Sequence, residues 1–309
     1  MLSLALTAAL IAPPATCPAF PANDPARIFP STSTAVFGID VDAFARSSIG
    51  AALIPALRAD LRLAETLEIL DDCGLSLERS YALSAARGPG EGRAIVAQAR
   101  KIGEAKTLSC LENELRARND GAVPWIRAEA GCYPSLDFGE GERAWIINDY
   151  TVVWARGSFV APIADRLEGR EAMTLPTQLQ DEFARLDRSG HLWLAAELDD
   201  SDRRTLPGAW ARQTTSLTAA VDLSTGLRGV FSLAAPDVAT TANLRDLVLV
   251  GFAELAERLD ALGVQHRVRE RAGVGIVEGV IGVEIVLDEA ELAEIRAKVG
   301  EQVEGRGPL

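Results

Sequence analysis

The sequence predicts an α+β chain of two tandem related units, each an antiparallel sheet with helices packed on one face. Three observations predict it. A hairpin pattern occurs twice: residues 81–86 and 94–99 flank the Gly-rich turn 88–92, and residues 217–223 and 227–234 flank Ser224–Thr225–Gly226. Each hairpin is followed by a helix, three strands and a final helix. Each is preceded by a strand of similar character, 35–41 in one case and 191–198 in the other. Tight turns favour antiparallel pairing, and the helices between strands must cover a sheet face. The two sheets are expected side by side, or joined edge to edge through 35–41 and 191–198.

Residues 1–27 read as a leader and linker, 28–168 as the first unit, 169–188 as a connector, 189–302 as the second unit and 303–309 as a tail. After strand 34–41, Asp42 is placed to cap a helical region over 43–70, interrupted near 47–50 and at Pro55. Leu53, Ile54, Leu57, Leu61 and Leu67 recur there at helical spacing and predict a buried face. Helix 108–115 and strands 125–130, 143–147 and 151–155 complete the first unit with helix 159–167. The connector carries a short helix over 178–186. In the second unit a polar segment, 199–212, replaces the long first helix. Helix 238–262 follows, with Leu244, Leu247, Val248, Leu255 and Leu259 on one side. Strands 264–271, 274–280 and 283–287 lead to the closing helix 289–299.

The 309 residues suffice for two domains with real cores, and a 48% hydrophobic content is that of a globular chain. A net charge of −13 without a Lys/Arg block opposes binding to nucleic acid or to anionic lipid. The run Arg267–Arg271 alternates like a solvated strand face. Residues 2–12 form an apolar run, followed by Pro13, Pro14 and Ala15, that resembles the core of a secretory signal peptide. It is too short to span a bilayer, so no transmembrane helix is expected in the mature chain. Export to the periplasm or the extracellular space is therefore the expectation. A lipid anchor on Cys17 is the lesser reading, since Pro14–Ala15–Thr16 fits a lipobox poorly. In an oxidising compartment the cysteines are expected to pair: Cys73 with Cys110 first, Cys110 with Cys132 as the alternative, and one thiol left unpaired or joined to Cys17.

Catalytic signatures are sparse. His191 and His266 are the two histidines, both on predicted strands and without a partner Cys or a metalloprotease spacing. Neither a nucleophile elbow nor a phosphate-binding loop occurs, and the glycine-dense stretches 88–92 and 273–282 lie between strands. No metal and no cofactor are expected. Asp199, Asp200 and Asp202, with Glu197, could turn oxygens toward one cation, but Arg204 and Trp210 stand where an EF-hand needs Gly and Glu. Asp40 and Asp42 sit at the matching strand end of the first unit, which favours a shared helix cap. Trp125, Trp145, Trp154 and Trp193 are placed in the core by their strands. Trp210, in a polar segment, is the candidate for an exposed aromatic contact with a ligand.

Ile28–Pro30 before strand 34–40, the turn Asp72–Cys73–Gly74–Leu75 and the hairpin Asp222–Leu223–Ser224–Thr225–Gly226–Leu227 carry a resemblance. The chain resembles, over residues 28–300, uncharacterised exported proteins of myxobacteria and related Gram-negative bacteria, in which a Cys-Gly-Leu turn and a D-L-S-x-G-L hairpin recur. That group supplies no catalytic residue. The expected function is thus a non-enzymatic binding or structural module of the cell envelope, with a protein or small molecule as partner. Two other readings are a hydrolase or other enzyme with its site in the cleft between units, and a carrier of a hydrophobic ligand. The carrier reading requires an apolar cavity of several hundred Å³.

Overall fold

All strands of the computed structural model, which describes residues 17–304 except 119, 124, 129, 130 and 207, pair in one antiparallel sheet of 12 strands. The first half contributes β1 (Ala35–Asp40), β2 (Ser80–Arg87), β3 (Arg93–Ala99), β4 (Ile126–Ala128), β5 (Ser135–Gly139), β6 (Glu142–Asn148) and β7 (Thr151–Arg156). The second contributes β8 (Leu192–Glu197), β9 (Ser216–Asp222), β10 (Leu227–Ala234), β11 (Gly273–Val277) and β12 (Val280–Leu287). The order across the sheet is β11-β12-β10-β9-β8-β1-β2-β3-β7-β6-β5-β4. The expected two sheets are thus one, joined where β1 pairs antiparallel with β8 from Ala35↔Ala196 to Ile39↔Leu192. Separate sheets would expose two edges of unpaired N–H and C=O groups, and the seam removes both.

Several sequence expectations are corrected here. Residues 264–271 are not a strand but a loop and the short helix α9 (Val268–Arg271). The apparent alternation in Arg267–Arg271 conceals a spacing of four, by which Val264 and Val268 both bury beside Leu259. Residues 274–280 break at Glu278 and Gly279, whose φ values of 50° and 79° make a two-residue hairpin turn. β5 was not anticipated; it is short and is held to β6 by the Arg143–Asp137 ion pair at 2.8 Å.

After β1 the chain forms α1 (Val41–Arg46), α2 (Ser48–Ala59) and α3 (Leu61–Asp72). The breaks fall at Ser47 and Asp60, and α2 runs through Pro55 instead of stopping there. The expected buried face is only partial: Leu53 is 48% exposed, while Leu57 and Leu61 lie outside the described side chains. The remaining helices are α4 (Ala105–Arg118), α5 (Val160–Leu167), α6 (Gln180–Arg185), α7 (Asp200–Thr205), α8 (Val238–Ala261) and α10 (Glu289–Glu304). Asp40, not Asp42, caps α1 by accepting the Ala43 N–H at 2.8 Å, and Asp199 caps α7 in the same way after β8.

Helices cover both faces of the sheet, not one. On the face that carries Val36, the central row is Ala155, Ala94, Ala86, Val36 and Ala195, all at most 7% exposed. These small side chains leave depth for Phe29 of the N-terminal segment, Phe159, Ile163 and Leu167 around α5, and Phe183 of α6. Gly88 and Gly92 admit the Phe159 ring, since a Cβ on either would lie 2.6 Å from it. The glycine-rich turn is therefore a packing device. Arg166 of α5, 1% exposed, ties this layer together. It donates to the carbonyls of Arg27, Phe29 and Thr174 and pairs with Glu171 at 2.7 Å.

Two disulfides brace the first half. Cys73–Cys110 joins α3 to α4, as the sequence suggested. The alternative Cys110–Cys132 pairing is corrected: Cys132 joins Cys17, beside the hydrogen bond from the Tyr133 hydroxyl to the Pro18 carbonyl at 2.7 Å. α4 carries Cys110 against α3, on the opposite side of the sheet from that N-terminal segment.

Candidate functional site: an apolar groove on the Phe37 face

Successive residues of a strand point to opposite faces, so the neighbours of the buried row define a second row. It runs Trp154, Ile95, Ala85, Phe37, Leu194, Ala219, Phe231 and Val283, each directly opposite the next across the strands. Every member is apolar, although most of this row is only half-buried. α4 packs on one flank, through Leu108 against Leu136 and Ala144. α8 packs on the other, through Leu244 and Val248 against Leu233, Ile281 and Val283. Between them the floor is only half-buried.

The α8 side of this floor is a groove of about 400 Å³. Leu194, Leu217, Ala219, Phe231, Leu233, Val283 and Ile285 form its base; Val248, Gly251, Phe252 and Leu255 of α8 form one wall, and Trp210 closes it. None of the described residues that line it is titratable. Of the α8 residues assigned to one side by the sequence, Leu244, Val248 and Leu259 are buried, whereas Leu255 is 37% exposed on the groove wall. A Cβ at Gly251 would meet nothing within 4 Å, so the helix presents open space where a side chain would fill it. A second apolar depression of about 460 Å³ lies over Phe37, Ala85, Ile95 and Trp154, and Leu194 lines both.

The structure places the sequence candidates differently from one another. Trp210 is half-buried in a short 3-10 helix (Ala209–Gln213), where its carbonyl accepts the Thr214 hydroxyl. Gly208, at φ 97°, sets its approach. Trp154, assigned to the core, lies half-exposed on the floor of the second depression. Trp145 is a core residue, and Trp193 stacks edge-on to Phe183. Trp125 precedes β4 and meets Phe138. Asp199 and Asp202 form the capping box of α7, and Asp202 also pairs with Arg87 across the strand ends. Arg87 holds the Asp202 carboxyl below the usual carboxylate range. Asp200 is exposed near Arg203 at 3.7 Å. These acids do not converge, and no group of metal-ligating side chains is found among the described residues.

His191 accepts the Leu223 N–H on Nδ1 at 2.8 Å, and the His266 ring lies 3.2 Å from the Ala256 carbonyl and from Asp260. Both serve local structure. A polar pocket of about 680 Å³ opens on the Val36 face near the seam, lined in part by Asp24, Tyr81, Ser84, Gln98 and Arg188. Its Arg188 is already bonded to Asp24 at 2.5 Å and stacked over Phe183 and Trp193, and its Asp40 caps α1.

The fold resembles that of TP0453. Crystal form III of that protein superposes with a TM-score of 0.51 at 13% identity, covering 89% of this chain and 98% of that one. Crystal form IV gives 0.50 at 10% identity, covering 92% and 98%. At such identity the likeness concerns the fold alone. No protein-family model and no curated protein matches the chain.

The groove was not legible as such. Its floor reads as ordinary alternating strands, and only the surplus of apolar residues on both faces of β1 and β8 hinted that two layers needed covering.

Proposed function

We propose that this chain is a non-enzymatic binding protein for an apolar small molecule, held in the groove between α8 and the sheet. The observation that supports this most is the about 400 Å³ space bounded by apolar side chains alone. Such walls offer desolvation and dispersion, but no proton donor, nucleophile or charge for chemistry. The carrier reading is thereby preferred over the enzyme reading, whose cleft would need converging acids.

The protein acts, on this proposal, in an exported and oxidising compartment. Two disulfides, the apolar leader-like run within residues 1–16 and the resemblance to exported proteins support that location. Residues 1–16 lie outside the described residues. A Cys17 thiol engaged with Cys132 leaves no sulfur for a lipid anchor, which favours the unanchored form. No helix among the described residues is long and apolar enough to cross a membrane.

Titration with a series of straight-chain alcohols, followed by calorimetry or by the difference in tryptophan fluorescence between wild type and Trp210→Phe, tests the reading. Each methylene buried contributes about 0.8 kcal/mol, so affinity should rise about fourfold per added carbon until the groove is full. Ala219→Trp, which fills the floor, should abolish binding while the fold persists by circular dichroism. Chain-length-independent binding, or full binding by Ala219→Trp, would remove the proposal.

A further inference from the structure

The row of side chains bordering the second depression, at the strand ends, is the most unusual on the Phe37 face. Arg87, Arg93 and Arg156 stand directly opposite one another on β2, β3 and β7. Like charges in such cross-strand positions are destabilising, and a sheet normally alternates their signs. Two of the three are compensated. Arg87 pairs with Asp202, and Arg156 lies 3.2 Å from Glu142 and 4.0 Å from Glu91. Arg93, the middle one, has no ion-pair partner among the described residues. It is exposed and lines the apolar depression together with Arg87.

We infer that the groove takes a single-chain amphiphile whose anionic head, a carboxylate or phosphate monoester, is bound by Arg93 between Arg87 and Arg156, with the tail laid across Phe37 and Leu194 toward α8. This deepens the proposed function and rests on it. The geometry is suited to a long chain. From β3 to β10 the floor crosses β2, β1, β8 and β9, which at the usual strand spacing is about 24 Å of continuous apolar surface. The charge complements it: an anion at Arg93 would relieve the repulsion of three adjacent guanidinium groups and supply the partner that Arg93 lacks. A net charge of −13 makes this local cationic row selective, because the rest of the molecule repels anions that have no tail to hold them.

The test compares palmitate with hexadecanol, which share a tail and differ in the head. Wild-type protein should bind palmitate more tightly. Arg93→Gln should weaken palmitate about tenfold, the worth of one charge-assisted hydrogen bond, and leave hexadecanol within about twofold. Arg93→Lys should restore part of the preference, and Arg269→Gln, which removes a distant positive charge, should change neither ligand. Equal effects on the two ligands would overturn the head assignment and leave the groove reading standing. Binding of neither by wild-type protein would overturn both. Sedimentation of the same samples covers the remaining occupant: a dimer that Phe37→Glu dissociates, with no palmitate bound, would assign the face to a second copy and overturn the inference.

Discussion

Val36 and Phe37 are consecutive residues of one strand, yet they belong to two different kinds of interior. The Val36 row is sealed: Ala155, Val36 and Ala195 are 0% exposed, and the aromatic rings of Phe29 and Phe159 fill the space above them. The Phe37 row is equally apolar but half-open, because its covering helices α4 and α8 stand on the flanks. The difference lies in what stands above each row. On the Val36 face the alanine row close-packs with Phe29 and Phe159, whereas on the other face Phe231 packs with the α8 cluster and Trp154 with the α4 cluster, leaving Phe37, Ala85 and Leu194 between them half-buried. One face was built to be filled by the chain itself. The other keeps room.

The largest effect expected is at the sealed face. Arg166→Leu removes the guanidinium that satisfies three backbone carbonyls and Glu171 in a 1% exposed site. Stranding those acceptors should cost about 3–5 kcal/mol in urea unfolding. Ligand binding in the groove should be unchanged under native conditions; a stability loss below about 1 kcal/mol would show that the N-terminal layer is not held by this residue. The disulfides come next. Cys73 and Cys110 close a separation of 37 residues, for which chain entropy gives about 4 kcal/mol. The Cys73→Ala, Cys110→Ala double variant should lose roughly that much, measured as a fall in the urea midpoint with an enlarged denatured state. Engineered breaks often cost less, so an unchanged midpoint is the outcome that counts against the bridge.

The two faces also differ in how far the sequence disclosed them. Strand and helix existence was readable wherever a period persisted, as in β2, β3, β9, β10 and α8. It failed where two periods coincide: Val264, Val268 and their arginine neighbours satisfy a strand alternation and a helical spacing alike, and only packing against Leu259 chose between them. The joining of β1 to β8 was readable as an option because both strands lacked a second partner. The helices on both faces were not, since an apolar residue on an amphipathic helix does not say which side of a sheet it will meet. Among the site residues, Trp210 reads from its polar surroundings as an exposed aromatic, whereas the structure half-buries it against the apolar groove. Arg93 was passed over. In a sequence it is one arginine among many, and its meaning comes from the register that sets Arg87 and Arg156 on either side.

Ala85 and Ala86 sharpen the contrast with the least chemistry. They are adjacent on β2, equal in size, and point to the two faces. Leucine at Ala86 must displace the packed layer over Val36, an overpacking expected to cost about 1–3 kcal/mol. Leucine at Ala85 enters the open depression and should leave stability within about 0.5 kcal/mol while weakening palmitate. Equal costs at the two sites would mean that the Phe37 face is as tightly filled as the other, and the groove would lose its basis.

The smallest effect concerns the ion pair at the edge of the second depression. Asp202 is held below its usual pKa first by its hydrogen bond to Arg87, partly offset by desolvation and aided by the Asp199 N–H. A folded-state pKa that is depressed adds stability above the unfolded value, near 3.9, and loses it as pH falls through the folded value. The pair is partly exposed, so its share is at most about 1 kcal/mol. Asp202→Asn should therefore lower stability slightly at neutral pH and flatten the acid limb below about pH 4. It also frees Arg87 beside Arg93. If the arginine row receives the anionic head, the same substitution should tighten palmitate at pH 7 while leaving hexadecanol alone, so that stability and affinity move in opposite directions. A ligand that responds to neither Asp202 nor Arg93 would place its head elsewhere on the Phe37 face.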